Sequence, residues 1–201
     1  MLQGGDRDRP GAPVGGAVCL GNYGLLDRCH EEQVVIDTST APPALSREVH
    51  ERFLKRGILF GDAPIARTKK AAIDGTLSIM VGADPDLFDR IAPILRHMAS
   101  DVTHCGPVGT GEICKILNNM VLFENIMAFS EALAIGTRAG VNGSVLLETI
   151  AKSSGDSFAL RNHGMKSTLS DDFPKGSFPV YYALKDLRYA LELAEDVGLQ
   201  P

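Results

Sequence analysis

Residues 104–119, HCGPVGTGEICKILNN, run a turn with glycines at 106, 109 and 111 straight into a long apolar helix. From about 111 to 141 the apolar period is helical, so Lys115, Asn118, Asn119 and Leu122 fall at i, i+3, i+4 and i+7 and share one face. Lysine is rarely buried unless paired or functional, and adjacent asparagines lower helix propensity, so this stripe in an apolar segment points to chemistry. An ammonium in the first turns of a helix sits near the positive end of the macrodipole, which disfavours its charge and makes it a better proton donor. The bland reading of the same residues is a solvated lysine beside two helix-start asparagines. The three glycines weigh against it, because they strip side chains from the approach to Lys115, as a site needs when a ligand must come close to backbone.

Composition narrows the class of protein. A chain of 201 residues can form one large domain or two small ones. A net charge of −5 with no basic block gives no reason to expect nucleic acid or an anionic membrane as partner. The four cysteines (Cys19, Cys29, Cys105, Cys114) lie far apart in sequence without CxxC spacing, so neither a disulfide framework nor a metal site is expected and a reducing cytoplasm fits best. Residues 1–16, rich in Gly, Asp, Arg and Pro, carry no apolar signal-peptide core and read as disordered. The apolar stretch 120–134 is interrupted by Glu124, Asn125, Ser130 and Glu131, which favours a helix buried between domains or subunits over a membrane span.

In chain order, 17–20 is a possible short strand and QVVID at 33–37 a better one, a β-branched run of the parallel-sheet kind. A helix over 43–56, started by Pro42-Pro43 and stopped by Gly57, and a strand over 57–60 complete a parallel strand–helix–strand unit. Asp84-Pro85 opens a helix reaching about residue 100, with Asp84 as its cap, and 101–105 is the strand before the glycine turn. Beyond the long helix come a helix at 145–152, a short helix at 157–160, a loop at 171–178 and an amphipathic helix at 180–197 stopped by Gly198.

The spacing GxxGxGxxxKxxNN (Gly106, Gly109, Gly111, Lys115, Asn118, Asn119) resembles the catalytic motif of the β-hydroxyacid dehydrogenases, a family that includes 3-hydroxyisobutyrate dehydrogenase. Three further segments keep the family's order: DTSTAP at 37–42, DAPIART at 62–68 followed by GTLSIMVG at 75–82, and KDL at 185–187. The resemblance covers nearly everything from residue 21 to 201. It implies an α/β, partial Rossmann-type sheet domain (17–109) followed by an all-α domain for substrate and dimerisation (110–201), joined by the long helix. It further implies Lys115 as general acid in reduction and base in oxidation, Asn118 and Asn119 orienting substrate and lysine, Ser39 beside the substrate, and Thr40 and Lys185 against the cofactor, NAD or NADP. Without the resemblance, Ser39 or Thr40 could equally cap the next helix, and Lys185-Asp186 would be a solvated pair.

Two departures stand out. Where most members carry Ser-Gly-Gly, this chain has Ala66-Arg67-Thr68. An Arg-Thr at this point is similar to 3-sulfolactaldehyde reductase, where the arginine holds a sulfonate, although Leu122 replaces an expected serine. The triplet therefore predicts a small hydroxy acid or aldehyde with a hard anionic end, carboxylate or sulfonate, chosen by Arg67. The second departure is that no GxGxxG fingerprint matches near the N-terminus, nor the acidic residue about 20 residues later that separates NAD from NADP. The chain thus reads as an internal piece of a homo-oligomeric (dimeric or tetrameric) dehydrogenase, truncated at both ends and inactive alone. The rival reading is a non-catalytic relative that keeps the fold as a binding or oligomerisation module.

Overall fold

The computed structural model of the chain describes residues 12–173 and 178–199. These divide into two compact units, one holding the residues up to Leu117 together with those from Arg188 on, the other Asn118–Leu187. The line between these units falls within the long helix.

In the first unit, helices α1 (Ala12–Leu20) and α2 (Leu25–Arg28) precede β1 (Val34–Asp37), α3 (Pro43–Leu54), β2 (Leu59–Asp62), β3 (Ile65–Ala66), α4 (Lys69–Ile73), β4 (Leu77–Gly82), α5 (Pro85–Leu95) and β5 (Ala99–Gly106). The expected strand at 17–20 is instead the end of α1, and residues 12–16, expected to be disordered, form its start. A four-residue apolar run carries no period that separates strand from helix, and here Cys19 and Leu20 pack beside Val49 and Phe53 of α3. Residues 1–11 lie outside the described part of the chain. Proline opens both α3 and α5 at the first helical position, where its missing N–H costs nothing; Asp84, the expected cap of α5, makes no capping bond.

The sheet is mixed. β1 and β2 are parallel, as are β4 and β5, whereas β4 is antiparallel to β3 and touches β2 through the single pair Asp62–Gly82. Alternate residues feed opposite faces, as the two-residue strand period requires. Val34, Ile36, Leu59, Ile79 and Val81 pack with Leu87, Ile91 and Leu95 of α5, while Val35 and Phe60 pack with Val49 and Phe53 of α3. Phe53 and Phe60 meet edge to face at 5.8 Å. Burial on both faces explains why β1 reads as a continuous apolar run.

From the first unit into the second runs α6 (Thr110–Arg138), 29 residues long. The second unit adds α7 (Gly143–Ala151), capped by Asn142 through the amides of Ser144 and Val145, a π-helical segment over Leu160–Thr168, and α8 (Val180–Asp196), whose last turns belong with the first unit. Phe129, Leu147, Ala159 and Leu160 form this unit's core. The short helix expected at 157–160 continues as the π-helical turns of Leu160–Thr168, which the sequence pattern does not signal. Part of the loop expected at 171–178 lies outside the described residues.

Candidate functional site

The last residues of four strands, Asp37, Asp62, Gly82 and Gly106, pair in one row across the sheet. The two parallel pairs therefore meet carboxyl end to carboxyl end, the place where α/β sheets present ligand-binding loops. From this row Pro107 to Gly109 lead into α6. Gly106 and Gly109 hold φ of 125° and 94°, which a side chain would strain. Close packing adds to the constraint at Gly109, where a Cβ would come within 2.9 Å of Arg47 Nε and 3.3 Å of the Pro43 carbonyl oxygen.

Asp62 closes the row. It is wholly buried, its Oδ1 accepts the Gly109 amide at 2.6 Å, and its Oδ2 accepts the Glu112 amide at 2.8 Å. A helix-capping side chain ordinarily supplies such a bond from the residue before the helix. Gly109 has no side chain, and Asp62 does the work from fifty residues earlier in the chain. Burial pushes the Asp62 carboxyl above the usual range, against the pull of the two amides.

Lys115 follows Glu112 by about one helical turn and is only 9% exposed, so the solvated reading of this lysine does not hold. Along α6 the helical period carries its face on to Asn118 and Asn119. In the second unit, the exposed Asn118 donates to Asn119 Oδ1 at 3.1 Å, and Asn119 donates to Asp186 Oδ2 at 2.6 Å. The other Asp186 oxygen lies 3.2 Å from Lys185 Nζ, with the two side chains 4% and 10% exposed. This corrects the solvated reading of Lys185-Asp186: Asp186 is enclosed and its two oxygens are shared between an ammonium and a primary amide. The pairing also fixes the Asn119 amide, nitrogen toward Asp186 and oxygen toward Asn118.

Ser39 and Thr40 follow the end of β1, beside the strand that ends in Asp62. The Ser39 amide and hydroxyl both donate to Asp37 Oδ1, an Asx-type turn that holds the loop without capping α3. The Ala66-Arg67-Thr68 triplet lies elsewhere. Ala66 pairs with Ser78 near the start of β4, and Arg67 donates to the Thr76 carbonyl, Ser100 Oγ and Asp101 Oδ2, all at the amino ends of β4 and β5. Arg67 adopts φ of 83°, a conformation suited to the glycine most members carry there. Thr68 caps α4 by accepting the Ala71 amide. The structure thus gathers Ser39, Thr40 and the lysine helix at one end of the sheet and gives the guanidinium of Arg67 partners toward the other.

Sequence reasoning gave no role to two residues that organise these parts. Asp62 stands in the DAP segment at 62–64 and Asp186 in the KDL segment at 185–187. The available signal was a carboxylate at the end of a buried strand in one case and beside a lysine in the other, and neither reports its partner. No glycine-rich strand-to-helix turn precedes β1 among the described residues.

Two family models match the chain: the NAD binding domain of 6-phosphogluconate dehydrogenase over residues 11–106, and the NAD-binding domain of NADP-dependent 3-hydroxyisobutyrate dehydrogenase over 109–200. Among curated relatives, the 2-(hydroxymethyl)glutarate dehydrogenase of Eubacterium barkeri is 35% identical over 93% of this chain and 62% of its own length. The 3-hydroxyisobutyrate dehydrogenase of Pseudomonas aeruginosa is 36% identical over 89% of this chain and 61% of its own. Among solved structures, Mycobacterium tuberculosis 3-hydroxyisobutyrate dehydrogenase with L-serine aligns with a TM-score of 0.80 at 31% identity, covering 88% of this chain and 62% of that one. Psf3 in complex with NADP+ and 2-OPP, 24% identical with a TM-score of 0.76, shares the fold over 84% of this chain and 59% of its own. The chain spans about three fifths of the length of these relatives.

Proposed function

This chain belongs to the β-hydroxyacid dehydrogenase family, whose cofactor is NAD or NADP, and on that premise we propose that the protein oxidises a small β-hydroxy acid or reduces its semialdehyde, with Lys115 as the proton-transfer group. The observation that carries this reading is the burial of Lys115 near the start of a helix that leaves a glycine turn, on a helix face that continues into an amide array held by Asp186. The cofactor, when bound, supplies or accepts the hydride. Lys115 Nζ gives a proton to the carbonyl oxygen in reduction and takes it from the hydroxyl in oxidation. By the family resemblance, Asn118 and Asn119 would orient the substrate's oxygens, Ser39 would contact the substrate, and Thr40 and Lys185 would contact the cofactor. In the full-length protein, Lys115→Ala lowers kcat by about 10²–10⁴-fold, the usual size of a general acid–base contribution. Retention of normal turnover would overturn the lysine mechanism, whereas a full-length wild-type protein without turnover would favour the rival reading, a relative that binds without catalysing.

The same proposal takes the cytoplasm as the protein's compartment and a homo-oligomer as its working form. By length and composition α6 could cross a membrane. Its exposed Val121, Met127 and Ile135, together with the interrupting Glu124, Asn125 and Glu131, suit a helix-to-helix interface with a second copy better. Sedimentation of the full-length protein as a monomer at micromolar concentration would remove that assignment.

A further inference from the structure

We propose that Asp62 is the positioning residue for Lys115, its carboxylate bolting the start of α6 to the carboxyl end of β2 and so setting where the lysine stands. The inference rests on Lys115 as the proton-transfer group and extends it to a residue that never touches substrate. Three observations converge. Asp62 is fully buried, and its two oxygens take one amide from the residue that precedes α6 and one from the helix's first turn. That first-turn residue, Glu112, stands about one turn before Lys115. The packing around the carboxylate is close. A Cβ at Gly82 would strike Asp62 Oδ1, and one at Gly111 would strike the Met80 carbonyl oxygen and lie 2.7 Å from Asp62 Oδ2. The chain thus keeps glycine on both flanks of Asp62, in β4 and in α6, and β2 and α6 share one anchor.

The chemistry suits a carboxylate and no other side chain of that length. Two N–H groups must each meet an acceptor, and ionised Asp offers one oxygen to each, while Asn offers a single acceptor and turns an N–H₂ toward the second amide. The charge also matters, because an anion at a helix N-terminus is favoured by the dipole. The titratable groups that act on it are Asp37 at the paired end of β1 and Cys105 of β5, with Arg47 of α3 packed against Gly109 and Glu112 of α6 supplying its amide. Asp62 is a short, rigid link, so a displacement of the α6 start passes directly to Lys115 through one turn of helix.

The test has a part that needs no turnover. In the uniformly labelled chain, titration of the Asp62 carboxyl carbon moves the Gly109 and Glu112 amide protons with the same midpoint. Asp62→Asn displaces the Lys115 Hε–Cε cross-peak while that of Lys166, in the other unit, stays in place. In the full-length enzyme, Asp62→Asn lowers kcat about 10-fold and Asp62→Ala about 100-fold, with KM for the cofactor within about 2-fold, so that the isosteric variant rescues part of the loss. If Asp62→Asn leaves kcat and the Lys115 cross-peak unchanged while Lys115→Ala abolishes turnover, the positioning role is wrong and the lysine mechanism stands. If Lys115→Ala is active, the underlying reading fails, and the positioning role falls with it. Should Asp62→Ala fail to fold, the wild-type titration still decides: amides of Gly109 and Glu112 that ignore the Asp62 midpoint overturn the inference.

Discussion

Replacing Gly111 by alanine tests the packing at the head of α6 against helix propensity, which predicts the opposite sign. On propensity alone, Gly→Ala inside an exposed helix stabilises by about 1 kcal/mol. At Gly111 the new methyl would press on the Met80 carbonyl oxygen, lie 2.7 Å from Asp62 Oδ2 and 2.9 Å from the Gly82 amide nitrogen. None of these is the loose end of a flexible side chain. Overpacking costs about 1–3 kcal/mol, and shifting Asp62 off its two amides costs about 1.5–3 more, because charged buried bonds are at stake. Against the 1 kcal/mol gained, the net loss is about 1.5–5 kcal/mol, a fall in Tm of about 3–20 °C for a chain of this size. Gly136 is the internal control, on the same helix. There the methyl meets only Leu146 Cδ2, which can rotate away, so the propensity gain and the rotamer cost nearly cancel and stability stays within about 1 kcal/mol of wild type. Thermal and urea melts followed by far-ultraviolet circular dichroism read both variants. A Gly111→Ala variant as stable as wild type, or a Gly136→Ala variant equally damaged, would refute the account of the α6 anchor.

Two further outcomes are expected. Arg67→Gly removes the strain of φ 83° and the exposed clamp together, so stability changes by less than about 1 kcal/mol, and a panel of carboxylate- and sulfonate-bearing substrates shows whether the guanidinium leaves Asp101 to select among them: unchanged relative kcat/KM values take Arg67 out of the site. The same link sets an acid limit, because the Ser100 hydroxyl and then Arg67 hold the Asp101 carboxyl below its ordinary value; its contribution is present above about pH 4 and is lost as pH falls through the lowered value, which loss of the Arg67–Asp101 contact on acidification in nuclear magnetic resonance spectra would show. Among the cysteines, the exposed Cys114 is alkylated first at pH 8, whereas burial pushes the Cys19 thiol up to about 11 and burial with the Cys114 thiol pushes Cys105 to about 12. A thiol raised in the folded state stabilises the fold below its ordinary value of 9.0 and loses that contribution as pH rises through about 11, so Cys19 labels readily only there; equal labelling of Cys19 and Cys114 at pH 8 in mass spectra would contradict this.

Local patterns were enough to identify the lysine helix, the proline-started helices α3 and α5, the apolar strands β1 and β2 and the parallel unit they form, because each depends on periodicity and on residues whose backbone limits act within a few positions. The glycines of the turn were legible for the same reason, since a need for positive φ or for close approach marks a residue by its own type. What tertiary structure alone decided are the partners of charged groups. Arg67 and Asp101 meet across 34 residues, Asp62 and Glu112 across 50, and Asn119 and Asp186 across 67. A carboxylate in sequence carries no address, and only the pairing of β1, β2, β4 and β5 brings Asp62 under α6. The same holds for α1, where a short apolar run of ambiguous period became helix once Cys19 and Leu20 had α3 to pack against. Burial of Lys115 and of the Lys185–Asp186 pair follows the same rule, because whether a charge is enclosed depends on what folds over it, and that is settled by contacts far apart in the chain.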